Sequence, residues 1–425
     1  MSYPSMFPTH VERLERLTEL LAEWQWLWAP APFMHRQSPW QQHVSRYGWV
    51  AHLAECLTEL DDETCMRLQD DPFDDSPLAA WLPVSELAEL VAVPNGVESE
   101  RLSAIMEAPS RWADHVGGRK WQQMAAFAAH MLPPGLQPGL QPMVEWCAGK
   151  GHLARLLSRL HGVEVTGLEW QRVLCDEGQR LADRQGVAVQ LSCQDVMQDD
   201  VVTWLEGRSV VALHACGDLH VRLLELARQH ATTVTLAPCC YQRTRYTDYR
   251  PLSHLAREET TRQGLCLSRE HLALSVQETV TASHGERRKR ERASAWRLGF
   301  DELQREISGI DEYLPIPSLS HGRLPQDFAG FCHWAADQKH VALTPSIDWS
   351  AFEAQGWERL SRVRRWELVR HLFRRPLEMW LVLDRVVWLE EAGFDVELCE
   401  FCERHLTPRN LLIRARPVVD PSLGH

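Results

Sequence analysis

The chain has 425 residues and a formal net charge of −13, so it offers no global attraction to nucleic acid and leaves any polyanion to local patches. Its twelve cysteines, several at expected strand tips and none behind a signal-peptide pattern, fit reduced thiols in a cytoplasm better than a disulfide scaffold. The most apolar stretch, around Leu377–Leu389, contains Glu378, Asp384 and Arg385, which excludes a membrane span, and the length calls for two domains.

Residues 1–112 have helical periodicity and are expected to form an N-terminal helical domain. Leu14, Leu17, Leu20 and Leu21 make one apolar stripe. Trp24, Trp26, Trp28, Trp40 and Trp49 follow; tryptophans at this density stack on bases or fill a helical core, and the core is the commoner use. Asp61-Asp62-Glu63 and Gln69–Asp75 read as solvated connections. Gly117-Gly118 precedes Arg119-Lys120 and a helix over Trp121–Met131, and Pro133-Pro134-Gly135 with Pro138-Gly139 marks a boundary.

Met143-Val144-Glu145-Trp146 is an apolar run with one acid. It breaks into the small-residue turn Cys147-Ala148-Gly149-Lys150-Gly151 and then into a helix from His152, with Leu153, Leu156, Leu157 and Leu160 in register. That strand, turn and helix aim free N–H groups at a ligand lying over the turn. Val163–Glu169 is a second strand ending in an acid twenty residues after Gly149, placed to accept ribose hydroxyls. Val187–Leu191 is a third strand, leading to Asp195. Val210–Leu213 is a fourth, ending in His214-Ala215-Cys216-Gly217-Asp218, and Thr233–Ala237 a fifth, ending in Pro238-Cys239-Cys240-Tyr241. Helical segments near 170–185, 199–206 and 218–230 fill the gaps. Strands and helices alternating in this way make a doubly wound parallel sheet with ligands at the C-terminal strand ends.

Between Tyr241 and the closing helix lie about 125 residues, far more than a crossover needs. Helical patterns near 252–263, 268–282 and 287–308 and the passage Leu314-Pro315-Ile316-Pro317 make this a helical insertion, expected over 242–367 and read with the N-terminal helices as the part that recognises the substrate. Its most basic element is Glu286-Arg287-Arg288-Lys289-Arg290-Glu291-Arg292, either a solvated helix face or a phosphate-contacting patch that Arg364-Arg365 and Arg374-Arg375 would extend. A long helix over Arg375–Ala392 and two strands, Phe394–Phe401 and Asn410–Ala415, then close the sheet over 368–418 with an antiparallel hairpin.

Two cofactors suit this plan, a nicotinamide dinucleotide and S-adenosylmethionine (SAM). Residues 147–152 depart from the G-x-G-x-x-G fingerprint of the first. Acids within strand one (Glu145) and after strand three (Asp195), together with the hairpin ending, favour SAM. Glu145, Cys147, Ala148, Gly149, Gly151 and His152 are expected around its methionine portion, Glu169 at the ribose and Asp195 at the adenine. His214, Ala215 and Cys216 are expected on the reaction side.

Glu145-x-Cys-Ala-Gly-Lys-Gly-His-Leu, Leu213-His-Ala-Cys-Gly-Asp-Leu219, Pro238-Cys-Cys-Tyr241, Leu383-Asp-Arg385 and Thr407-Pro-Arg-Asn410 occur in one order. Together they resemble the methyltransferase-like 25 family of SAM-dependent methyltransferases. The Cys-Gly-Asp and Cys-Cys-Tyr elements are also similar to a family of eukaryotic tRNA 2′-O-methyltransferases. The resemblance covers roughly 115–300 and 370–416, and departs at Cys147, where such enzymes usually place the first glycine of the turn. It implies an α/β fold of the class I methyltransferase (Rossmann-like) type, here in two parts, 113–241 and 368–418.

Methyl transfer is largely a matter of positioning. The candidate catalytic residues are His214, Asp218, Cys239, Cys240, Tyr241 and Lys120, the last on its family-like position. Each has a plainer reading: His214 as a packed strand-end histidine, Asp218 as a helix cap, the cysteines as a buried pair. Arg409 and Asn410, at the turn between the last strands, are candidates for the active-site rim. Cys399-x-x-Cys402 with His405 has zinc-type spacing but lacks a second pair unless Cys239 and Cys240 are recruited across the sheet, so no metal site is expected. The expected activity is SAM-dependent methylation of a macromolecule, with RNA (tRNA or rRNA) favoured over a protein side chain and neither DNA nor a membrane as partner. The alternative is a SAM-binding scaffold without catalysis that binds a partner; oligomeric state is left open.

Overall fold

The structure is a computed structural model and describes residues 8–96, 99–131, 141–277, 284–319 and 323–418. The proline and glycine boundary at 133–139 lies outside the described residues. Seven strands form one sheet in the order β3-β2-β1-β4-β5-β7-β6, comprising β1 (Met143–Trp146), β2 (Val165–Glu169), β3 (Val189–Cys193), β4 (Ser209–Cys216), β5 (Val234–Cys239), β6 (Phe394–Glu400) and β7 (Leu411–Pro417). The first five are mutually parallel, while β7 runs antiparallel to β5, pairing Val234 with Ala415, and antiparallel to β6. β1, β2 and β5 are buried at every residue, as strands covered on both faces must be, and their apolar runs supply that burial. The strand order reverses between β1 and β4, and the edge above that switch point is where a doubly wound sheet binds its ligand.

Three elements differ from the sequence expectation. β4 continues past Leu213 through His214 to Cys216, with a register shift against β5 that lets it carry polar residues beyond its apolar run. Asp199–Trp204 is a single short 3-10 segment. The closing helix starts at Trp349 and runs unbroken to Glu390 through Pro376. A proline inside a helix costs about 3 kcal/mol. Here burial offsets it, since Leu377, Met379, Trp380, Leu381, Val382 and Leu383 just beyond are fully buried.

The chain clusters into two units. One comprises 1–23, 89–278 and 374–425 and holds the whole sheet; the other comprises 24–88 and 279–373. The second unit has its own core of Trp296, Phe300, Leu303, Phe328, Phe331 and Phe352. In its N-terminal segment Trp28 and Trp40 are fully buried, and the Trp40 indole N–H donates to the Leu27 carbonyl at 2.7 Å. Trp26 stacks on Tyr47 at 5.0 Å between centroids. These tryptophans fill a core, as their amphipathic rings usually do.

Candidate functional site: the C-terminal edge of the sheet

The turn after β1 is built on left-handed backbone at Cys147 (φ 58°), Gly149 (φ 58°) and Gly151 (φ 61°). A side chain at Gly149 would meet nothing within 4 Å, so the backbone there faces open space, whereas one at Gly151 would crowd Leu191 at 3.2 Å. Glu169 ties this turn to the tip of β2. One carboxylate oxygen accepts from the Gly149 N–H at 3.1 Å and the other from the Gln171 N–H at 3.0 Å. Ala148 is held to β2 by its N–H, which donates to the Leu168 carbonyl at 2.8 Å.

Glu145 points from β1 beneath the turn and accepts the Ala154 N–H at 2.8 Å. Burial outweighs that bond and pushes its carboxyl up to about 8. Burial raises the Cys147 thiol to about 12, with Glu169, Cys216, Glu145 and Asp195 adding in the same sense. Three carboxyl groups and the Cys216 thiol therefore act on one thiol. Asp195 is exposed, and its carboxylate turns the following chain by accepting the Met197 N–H at 2.9 Å. His152 opens the next helix and bonds Arg155; burial, with Arg155, Lys120 and Lys150 nearby, lowers it to about 4, so it is neutral. A cleft of about 840 Å³ borders the turn, lined among others by Lys120, Gly149, His152, Leu174 and Arg184.

Across the switch point, β4 bends at His214 (φ 75°), a residue that keeps part of its surface in solvent. Desolvation lowers its pKa, and the cations Lys120 and Arg409 push the same way. Gly217 is left-handed at φ 56°, and any side chain there would lie 1.9 Å from the Arg243 carbonyl. Gly217, not Asp218, occupies the cap of the following helix. Asp218 instead receives the Arg245 N–H at 2.9 Å and pins the loop after β5. Ala215 is fully buried, with its carbonyl taken by the His220 ring at 3.0 Å. Tyr241 is also buried, its hydroxyl without a partner and its ring beneath the Arg385 guanidinium at 4.9 Å. So placed, it does not orient an acceptor at the open edge.

The sulfurs of Cys216, Cys239 and Cys240 lie within 4.8 Å of one another. Thiol hydrogen bonds from Cys216 and Cys239 hold the Cys240 thiol far below its ordinary value, and Arg409 and Arg243 assist, while Cys239 is pushed up. Cys399 and Cys402 are buried elsewhere, and no metal-ligating group of three among the described residues includes them or His405, which pairs with Glu403. Two of the motifs that carry the resemblance make buried structural bonds. Asp384 accepts from the Tyr249 hydroxyl and from both the N–H and the hydroxyl of Ser253, and Asn410 bridges Arg375 and the Cys402 carbonyl. Arg374 and Arg375 are buried, the second bonding Glu378 and Glu400, so neither extends the basic run.

Sequence reasoning passed over Arg243 and over Trp170, an indole 69% exposed directly after Glu169. The signal for Trp170 was a large aromatic beside a strand-tip acid.

Residues 119–246 match a family of methyltransferase domains. The chain carries a SAM-dependent methyltransferase domain of class I. Its donors suit that cofactor, because the acids that crowd Cys147 favour a sulfonium and an ammonium, and the open backbone at Gly149 admits a ligand. Among solved structures, YjhP from E. coli is 16% identical over 30% of this chain, which spans 55% of the length of that one, at a TM-score of 0.23. A mutant of MtNAS in complex with S-adenosylmethionine is 14% identical over 56% of this chain and 82% of its own, at 0.26. A geranyl diphosphate methyltransferase in complex with GPP and sinefungin is 16% identical over 50% and 77%, at 0.25. Likenesses this weak carry no functional argument. No helix among the described residues is long and apolar enough to cross a membrane.

Proposed function

We propose that the whole chain is a cytoplasmic enzyme that transfers the methyl group of SAM to RNA, a tRNA or an rRNA, and that it stands with the methyltransferase-like 25 family. The observation that carries the RNA reading is the cationic rim of the site. Lys120 and Arg409 act on His214, and Arg409 and Arg243 on Cys240. None of these three side chains is bonded to a carboxylate among the described residues. An acidic floor suited to a cationic cofactor, ringed by cations suited to phosphates, fits a polyanionic acceptor better than a neutral one. The exposed Arg288, Lys289 and Arg290 of the second unit supply a further phosphate patch, while Glu291 beside them is paired with Arg364 at 2.7 Å.

SAM supplies a methyl group already activated on its sulfonium. In this reading Glu145 faces the ammonium, Cys147, Ala148, Gly149, Gly151 and His152 hold the methionine portion, and Glu169 accepts the ribose hydroxyls. Asp195 meets the adenine, and His214 and Lys120 contact the acceptor. The test is transfer of labelled methyl from SAM by the full chain to separated cellular RNA and protein fractions. Label in RNA that ribonuclease releases supports the reading. Label confined to protein or to small molecules overturns it.

A further inference from the structure

We propose that Cys216, Cys239 and Cys240 form a three-thiolate site for one zinc-class cation, with a fourth coordination position left open.

Three parts of the backbone depart from ordinary geometry to bring these sulfurs together. The β4–β5 register shifts between Leu213 and Cys216, and the shift sets Cys216 directly opposite Cys239. His214, inside that shift, and Cys240, just past the end of β5, are non-glycine residues on left-handed backbone at φ 75° and 49°. Such backbone is unfavourable for a residue that carries a side chain. Strain of this kind persists where surrounding structure or a ligand offsets it, and both bends lead into the thiol cluster. Arg243 stands over the same point, its carbonyl so close to Gly217 that only glycine fits.

The spacing suits the ion. A zinc ion about 2.3 Å from each sulfur sets tetrahedral sulfurs about 3.8 Å apart. Here the Cys216 and Cys239 sulfurs are 3.6 Å apart and all three lie within 4.8 Å, so closure needs movements of about 1 Å. The donors are soft, which excludes magnesium and calcium as natural occupants. Three thiolates and a divalent ion leave one negative charge, and Arg243 and Arg409 face Cys240 to balance it. Cys239 is buried while Cys216 and Cys240 are partly exposed, which gives the ion a way in. Among the described residues no fourth His, Cys, Asp or Glu joins the group. Three protein ligands and an open position are the arrangement of zinc sites that bind a water or a substrate atom, whereas purely structural sites are closed by four. The site is independent of the acceptor's identity.

The test uses the full chain, reduced, stripped of metal and titrated with cobalt(II), whose thiolate charge-transfer absorption reports sulfur ligation. The expected result is a near-ultraviolet band that saturates at one cobalt per chain and disappears on addition of one equivalent of zinc. Cys216→Ser and Cys240→Ser each weaken cobalt binding at least tenfold, while Cys399→Ser and Cys402→Ser leave it unchanged, with circular dichroism checking that every variant folds. Zinc also protects Cys216 and Cys240 of the unmutated chain from alkylation, read by peptide mass mapping, so the proposal does not depend on the variants folding. It is overturned if the reduced chain gives no band, if zinc leaves the alkylation of these cysteines unchanged, or if the band survives in the Cys216→Ser/Cys240→Ser double variant. A disulfide among the three sulfurs that forms in place of metal uptake overturns it equally.

Discussion

Replacing Glu145 by Gln separates what its charge does from what its shape does. The glutamine carbonyl keeps the bond from the Ala154 N–H, which is 2.8 Å long, and loses only the ionisable proton. In the folded chain burial raises the carboxyl from its ordinary 4.5 to about 8, so the folded state holds that proton more tightly than the unfolded chain does. The linkage sign follows. Protonation favours folding, and the contribution to stability is full below about pH 4.5 and is lost progressively as pH rises to about 8. At about 1.4 kcal/mol for each tenfold change in proton affinity, the loss is on the order of 5 kcal/mol. For a unit of this size that is a fall in Tm of about 10 °C. The assay is thermal unfolding of both proteins from pH 5 to pH 9. The glutamine variant is expected to overtake the parent above pH 7 by several degrees, the other titrating groups cancelling in the difference. Binding gives the companion measurement. If the SAM ammonium selects the Glu145 carboxylate, calorimetry in two buffers of different ionisation enthalpy shows release of about 0.9 proton at pH 7. The glutamine variant shows no such release. A difference in Tm between the two proteins that stays constant with pH, together with no proton release, refutes the reasoning.

Glu169→Ala removes the tether to the Gly149 and Gln171 N–H groups as well as the proposed ribose contact, so SAM affinity is expected to fall about a hundredfold or more by calorimetry; a change within twofold would reject the pose. Trp170→Ala, which removes an exposed indole beside that acid, is expected to weaken SAM binding by about tenfold, and an unchanged Kd would mean that the ring faces solvent only. Asp384→Ala leaves the Tyr249 hydroxyl and the Leu252 and Ser253 N–H groups without their acceptor, so urea unfolding should show a loss of about 3 kcal/mol or more. Arg288, Lys289 and Arg290 changed together to Ala should lower the salt slope of RNA binding by about 2 to 3, read by filter binding across salt concentrations; an unchanged slope removes this patch from the RNA argument.

The sheet and its ligand edge were legible because they are written in local patterns. Four of the five parallel strands carry or lead to a residue out of keeping with an apolar run: Glu169 at the end of β2, Asp195 beyond β3, His214 on β4 and Cys239 at the end of β5. The hairpin of β6 and β7 was legible for the same reason. What stayed hidden is non-local. That 24–88 and 279–373 cluster together depends on contacts between segments some two hundred residues apart, which no periodicity encodes. The helix running through Pro376 was hidden because local propensity there opposes the burial that decides it.

The same contrast bears on two buried motifs. Leu383-Asp-Arg385 carries part of the resemblance and Tyr241 is a candidate catalytic residue, and charged and phenolic groups are uncommon inside apolar runs. The interior makes other uses of them. Asp384 organises the loop at 249–253, and Arg385 lies over the Tyr241 ring while its Nε meets the ring of His220, whose other nitrogen holds the Ala215 carbonyl at the bend of β4. These residues stand behind the strand tips and hold the backbone that carries His214 and Cys216. A buried polar group in this fold is therefore better read first as support for the edge than as part of it. Lys120, Arg243 and Arg409, by contrast, have no carboxylate partner among the described residues and act on His214 and Cys240 at that edge.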